Sequence, residues 1–149
     1  ALRFTIPEKT VVDYPVFIGG QSFNITCVDV GNPHCVVFCD DPSALDLETL
    51  GPKFERASYF PERINTEFVR VVNRNMLKMR VYERGNGETP ACGTGACAAV
   101  AAAVRLGLCA ADEDVTVKVR GGDLVVRVSA EGITLTGETG LVFEGVVYA

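Results

Sequence analysis

A chain of 149 residues that is 48% hydrophobic falls in the size range of one compact domain able to bury its own core. Its net charge of −5, with Lys and Arg scattered singly among acidic residues, leaves no positive stripe for phosphates and argues against a nucleic-acid partner. The longest apolar stretch, Ala96–Val104, is far short of the roughly 18 residues a membrane span needs, and no export signal is readable, so no membrane partner and a cytoplasmic location are expected.

Apolar and β-branched clusters at Leu2–Ile6, Val11–Ile18, Phe23–Val30 and Cys35–Cys39, divided by Pro7, Gly19-Gly20 and Gly31-Asn32-Pro33, predict short strands. Between Asp46 and Ala57 the apolar positions Leu47, Leu50, Phe54 and Ala57 recur at helical spacing, with Pro52 where a second segment starts, which predicts a broken surface helix. The alternating runs Ile64–Val72 and Met76–Tyr82 flank the turn-rich Asn73-Arg74-Asn75, which predicts a hairpin. From Ala91 to Leu106 the chain turns to alanine with Cys97, Val100 and Val104, and Gly107 stands where a helix ends. A helix without a polar face is expected at the centre of the domain with strands wrapped about it. Asp114–Arg120, Leu124–Ser129, Ile133–Thr136 and Leu141–Tyr148 then predict an antiparallel meander. The expected fold is a single α+β domain over 1–149, mostly antiparallel strands around a central buried helix. Its sheet edges call for a cover, supplied by dimerisation or by a second half of the protein.

Six cysteines (Cys27, Cys35, Cys39, Cys92, Cys97 and Cys109) are read as reduced, because a chain this long and apolar needs no staples. A zinc site from His34, Cys35 and Cys39 is the sharper alternative. Along a strand, four positions span ~13 Å, so Cys35 and Cys39 do not chelate one ion and no metal is expected. Cys27, Cys35, Cys39 and Cys109 are expected to be packing residues.

Tyr82–Ala96 joins a strand to the apolar helix through Gly85, Gly87, Gly93 and Gly95. Glycine lets backbone N–H groups approach an anion, and a helix N-terminus leaves those donors unpaired and positively polarised. The same field favours thiolate at Cys92, whose pKa is expected below the free value of ~8.5. On spacing alone, tight packing explains the glycines as well as a ligand does. No Lys-Ser or Lys-Thr follows them, so this is not a standard phosphate loop.

Gly31-Asn32-Pro33-His34, the segment Arg63-Ile64-Asn65-Thr66-Glu67-Phe68-Val69, and Glu83-Arg84-Gly85 followed by Glu88-Thr89 and Ala91–Ala96 together resemble the diaminopimelate epimerase family in order and spacing. The resemblance spans nearly the whole chain and implies a carboxyl-terminal lobe of that fold. It also implies epimerisation of diaminopimelate at an α-carbon without a cofactor, by two thiols on opposite faces of the substrate. Carried over by motif, Cys92 is one thiol. His34 and Glu83 flank it and influence its protonation. Asn32, Asn65, Glu83 and Arg84 contact the substrate, and the N–H groups of Gly93 and Thr94 hold its α-carboxylate. Each role has a plainer rival: His34 as a strand-start residue, Asn32 and Asn65 as turn-formers, Glu83 and Arg84 as a solvated pair. Cys97, on another side of the helix, is expected in the core. The family's second thiol lies in an element like Gly-Asn-Gly followed by Arg-Cys, which this sequence lacks. The missing partner is therefore expected to be the enzyme's amino-terminal lobe, with homodimerisation also expected, and the chain alone is expected to be inactive. The competing expectations are a proline-racemase-like amino-acid racemase and a non-catalytic binding or dimerisation module.

Overall fold

A computed structural model describes residues 10–148. The strand expected at Leu2–Ile6 lies outside the described residues. The elements in chain order are β1 (Tyr14–Ile18), β2 (Gln21–Asp29), β3 (Pro33–Phe38), a 3-10 turn (Pro42–Ala44), α1 (Leu47–Glu55), β4 (Asn65–Asn73), β5 (Met76–Glu83), β6 (Gly87–Thr89), α2 (Gly93–Arg105), β7 (Asp114–Val119), β8 (Gly122–Ser129) and β9 (Gly132–Thr136). The strands join in the order β1-β2-β3-β4-β5-β7-β8-β9, with the short β6 paired to β5. Most neighbours are antiparallel. The exceptions are β3 with β4 and β5 with β7, which are parallel. Each parallel pair needs a crossover, since a tight turn only reverses direction. The two helices supply them: α1 lies between β3 and β4, and α2 between β5 and β7.

Strand alternation assigns the helices to opposite faces. Cys35, Val37 and Phe68 belong to a core with Leu47 and Phe54 of α1, whereas Val36, Val69, Leu77 and Met79 belong to a core with the alanines of α2. On the first face Phe54 makes edge-on contacts with Phe23 and Phe68, with ring centroids 5.0 and 5.2 Å apart. On the second, the small side chains of α2 let strands from β2 to β9 approach it, so that only Thr94 and Arg105 of the helix are exposed. The α1 core was not foreseen by a picture with one central helix.

Three local expectations need correction. The first strand starts at Tyr14 rather than Val11, because Asp13 adopts φ 48° and breaks the extended run. Next, α1 is not broken at Pro52: Asp46 caps its start by accepting the Thr49 N–H, and the helix continues through the proline to Glu55. Leu47 and Phe54, buried on either side of Pro52, hold the backbone in helix although proline offers no donor to the preceding turn. Finally, Leu141–Tyr148 forms no strand. Leu141, Val142, Phe143, Val146, Val147 and Tyr148 are all exposed, because β9 is the last paired strand at that edge and nothing among the described residues covers them.

Candidate functional site

Side-chain parity brings the candidate residues to one end of one face. His34 is register partner to Asn65 at the start of the parallel β3–β4 pair, and Glu67 is paired with Val81 on β5, two residues before Glu83. His34, Glu67 and Glu83 therefore share the α2 face, at the sheet end where α2 begins.

Cys92 is the N-cap of α2, in extended conformation at φ −140° and ψ 112°. Its Sγ accepts the Gly95 N–H at 3.3 Å, and its carbonyl accepts the Ala96 N–H at 2.9 Å. The thiol thus does what a Ser or Asp side chain does at other helix starts. Neither of the preceding amides, at Gly93 and Thr94, finds an acceptor among the described residues. Glycine is required at 95, where a Cβ would stand 2.7 Å from Glu67 Oε1 and 3.2 Å from Cys92 Sγ.

Hydrogen bonds lead from the interior to this sulfur. His34 is fully buried, with Nδ1 2.6 Å from Glu67 Oε1 and Nε2 3.0 Å from Asn32 Oδ1. The Asn32 amide donates to Thr94 Oγ1 at 3.3 Å, and that hydroxyl lies 3.5 Å from Cys92 Sγ. Glu83 is half-buried and accepts the Thr89 hydroxyl at 2.5 Å, which fixes it beside the loop.

The half-buried Cys92 thiol is pushed up, contrary to the expected depression. Burial is the main cause, and the charges of Glu67 and Glu83 add to it. Hydrogen bonds from Thr94 and the Gly95 amide pull it down and do not prevail. The helix start supplies one favourable field, and burial together with two carboxylates on the facing strands outweighs it.

Two expected substrate contacts have partners inside the protein. The Asn65 amide donates to the Pro33 carbonyl at 2.7 Å, and its Oδ1 accepts the Arg84 N–H at 2.8 Å, so it ties β3 to the end of β5. Arg84 is exposed, and its guanidinium donates to the Glu62 carbonyl at 3.2 Å. Arg80 makes the two-pronged contact with Glu88, at 2.8 and 2.9 Å, that braces β5 against β6.

Two acidic residues escaped the sequence reading as site residues. Glu67 is fully buried, and its only signal was a charge inside the apolar run of β4. Glu55, at the end of α1 and nearly buried, accepts the Gly85 N–H at 2.8 Å and so holds the loop after β5. All six cysteines are free thiols; Cys35 and Cys109 are buried, while Cys27, Cys39, Cys92 and Cys97 are half-buried. Cys97 packs against the α2 core.

The family model described as diaminopimelate epimerase matches residues 26–142. The chain is 48% identical to the diaminopimelate epimerase of Nostoc punctiforme and 50% identical to that of a Cyanothece species, in each case over 93% of this chain and 50% of the relative. It thus spans about half the length of the curated relatives it matches. Among solved structures, a PhzF-family phenazine biosynthesis protein of Bacillus anthracis aligns over 82% of this chain and 40% of its own, with TM-score 0.54 and 20% identity. A PhzF-family protein of Enterococcus faecalis aligns over 76% of this chain and 40% of its own, with TM-score 0.51 and 18% identity. These two likenesses show the fold, a mixed α+β architecture. Taken with the match of the family model over most of its length, they accompany a plain assignment: the chain belongs to the diaminopimelate epimerase family.

Proposed function

We propose that this chain is the carboxyl-terminal, Cys92-bearing lobe of a cofactor-independent isomerase that interconverts LL- and meso-diaminopimelate, a step of lysine and cell-wall biosynthesis in the cytoplasm. The observation that carries the reading is Cys92 at the N-cap of α2, with the unengaged amides of Gly93 and Thr94 beside its sulfur. A substrate α-carboxylate held on those amides places its α-carbon next to the thiol. In one direction the Cys92 thiolate takes the α-proton and becomes a thiol. The C–H electron pair remains on the α-carbon and spreads into the carboxylate, where the amides stabilise it. A second thiol, on the opposite face, returns a proton. His34 and Glu83 tune Cys92, while Asn32, Asn65 and Arg84 shape the binding site for the remainder of the substrate.

One lobe supplies one thiol, so the proposal includes a partner, the amino-terminal lobe of the same enzyme. The exposed apolar segment Leu141–Tyr148 supports a covering partner, since contiguous exposed apolar surface of this kind marks an interaction site. A closing lobe also removes water from the site, and homodimerisation belongs to the same expectation.

The test joins this chain to the amino-terminal half of a relative and follows deuterium entry from solvent at the α-carbon of diaminopimelate. Exchange is expected in the joined enzyme, is lost in Cys92→Ala, and is absent from the chain alone. Exchange that survives Cys92→Ala contradicts the proposal.

A further inference from the structure

Glu67 is the one fully buried carboxylate of the described residues that the reaction above does not use. A buried carboxylate needs compensation, and two features provide it. Oε1 lies 2.6 Å from His34 Nδ1, and it sits over the first turn of α2 so closely that only glycine fits at position 95. The positively polarised helix start favours an anion there. Oε2, by contrast, has no hydrogen-bond partner.

A ring nitrogen tied to a carboxylate fixes the orientation of an imidazole and decides which nitrogen the other side meets. We propose that Glu67 is a positioning residue for the thiol site: by holding His34 Nδ1 it locks the ring so that the Nε2–H donates to Asn32 Oδ1, which aims the Asn32 amide at Thr94 Oγ1 and sets the hydroxyl that hydrogen-bonds Cys92 Sγ. A hydroxyl on a free rotor points anywhere, whereas one that already accepts from the Asn32 amide has its hydrogen left for the sulfur. The inference rests on the reading of Cys92 as a proton-transferring thiol, but its test needs no turnover.

The groups facing Cys92 are Glu67 on β4 and Glu83 on β5, and Cys97 on α2 shares its field. Removing the Glu67 charge relieves repulsion of the thiolate in any neutral variant, so one variant alone does not isolate positioning. Glu67→Gln and Glu67→Ala remove the same charge, and only glutamine retains an amide that can hydrogen-bond Nδ1. The measurement is the pH profile of Cys92 alkylation by iodoacetamide in the full chain, read by peptide mass mapping, with 15N NMR of the ring of His34, the sole histidine.

Below both midpoints, Cys92 in Glu67→Ala is expected to react about three- to tenfold more slowly than in Glu67→Gln, the size of one ordinary hydrogen bond. The glutamine variant keeps a single ring signature with Nε2 protonated, as the Asn32 oxygen requires, and the alanine variant shows mixed tautomers. Coincident profiles and coincident spectra for the two variants overturn the proposal. Should Glu67→Ala fail to fold, Thr94→Val against Thr94→Ser cuts the chain of bonds at the other end. Valine is then expected to slow Cys92 relative to serine, and equal rates count against the inference. Absence of exchange in the joined enzyme would defeat the epimerase reading and leave these comparisons decisive for Glu67.

Discussion

Burial and the carboxylates of Glu67 and Glu83 raise the Cys92 thiol, while the Thr94 hydroxyl and the Gly95 amide lower it. Alkylation of Cys92 in the isolated chain is therefore expected to be slow at neutral pH and to climb only above the free-thiol value. A midpoint below that value would reverse the balance of effects. The same physics acts on Cys39, which burial and its neighbours Asp40 and Asp41 push up to about 11 from 9.0. Between these two values the unfolded chain releases the proton and the folded chain retains it. Stability is thus expected to fall as pH rises from 9 to about 11, and Cys39→Ser should flatten that limb of a urea-denaturation series. Cys92 itself was legible in the sequence, because a glycine-rich approach to an apolar helix marks the helix start. Its electrostatic balance was not, because Glu67 and Glu83 reach it from strands that lie remote in sequence.

Among the elements, α1 shows how a small residue admits a large neighbour. A Cβ at Gly51 would stand 2.1 Å from the Tyr82 ring, so Gly51→Ala must displace either the helix or the strand that ends in Glu83. The expected loss is roughly 1–3 kcal/mol in chemical denaturation, as for other overpacked cores. Phe54→Ala, at the centre of the aromatic cluster with Phe23 and Phe68, is expected to cost about 3–5 kcal/mol. If Phe54→Ala left the denaturation midpoint unchanged, the α1 face would not be a core. The periodicity of this segment revealed the helix and its apolar positions. It did not reveal that Pro52 would be carried inside the helix, since that outcome depends on packing at Leu47 and Phe54 rather than on local propensity.

For the whole molecule, the informative feature is the exposed end of the chain. Val142 is 90% exposed and Tyr148 92%, so the segment contributes little to the stability of this chain while presenting apolar surface to any partner. Ending the chain after Thr136 is expected to change the unfolding free energy by less than about 0.5 kcal/mol and to reduce concentration-dependent association in sedimentation experiments. A large drop in stability on truncation would mean that the segment packs on the rest of the chain after all.

The sequence by itself determined the strands β2 to β5 and β7 to β9, both helices, the hairpin turn and the place of Cys92, because these depend on periodicity, capping and glycine within a few residues of one another; the short β6 was not among them. It also carried the family resemblance, in three motifs whose order survives folding. Only the tertiary structure decided which faces the helices occupy, that Glu67 stands behind His34, that Asn65 and Arg84 engage their own protein, and that Leu141–Tyr148 finds no strand to pair with. Those outcomes follow from parallel crossovers and sheet edges, which bring distant residues together or leave them apart, and no local pattern in a chain encodes a neighbour it has not yet met.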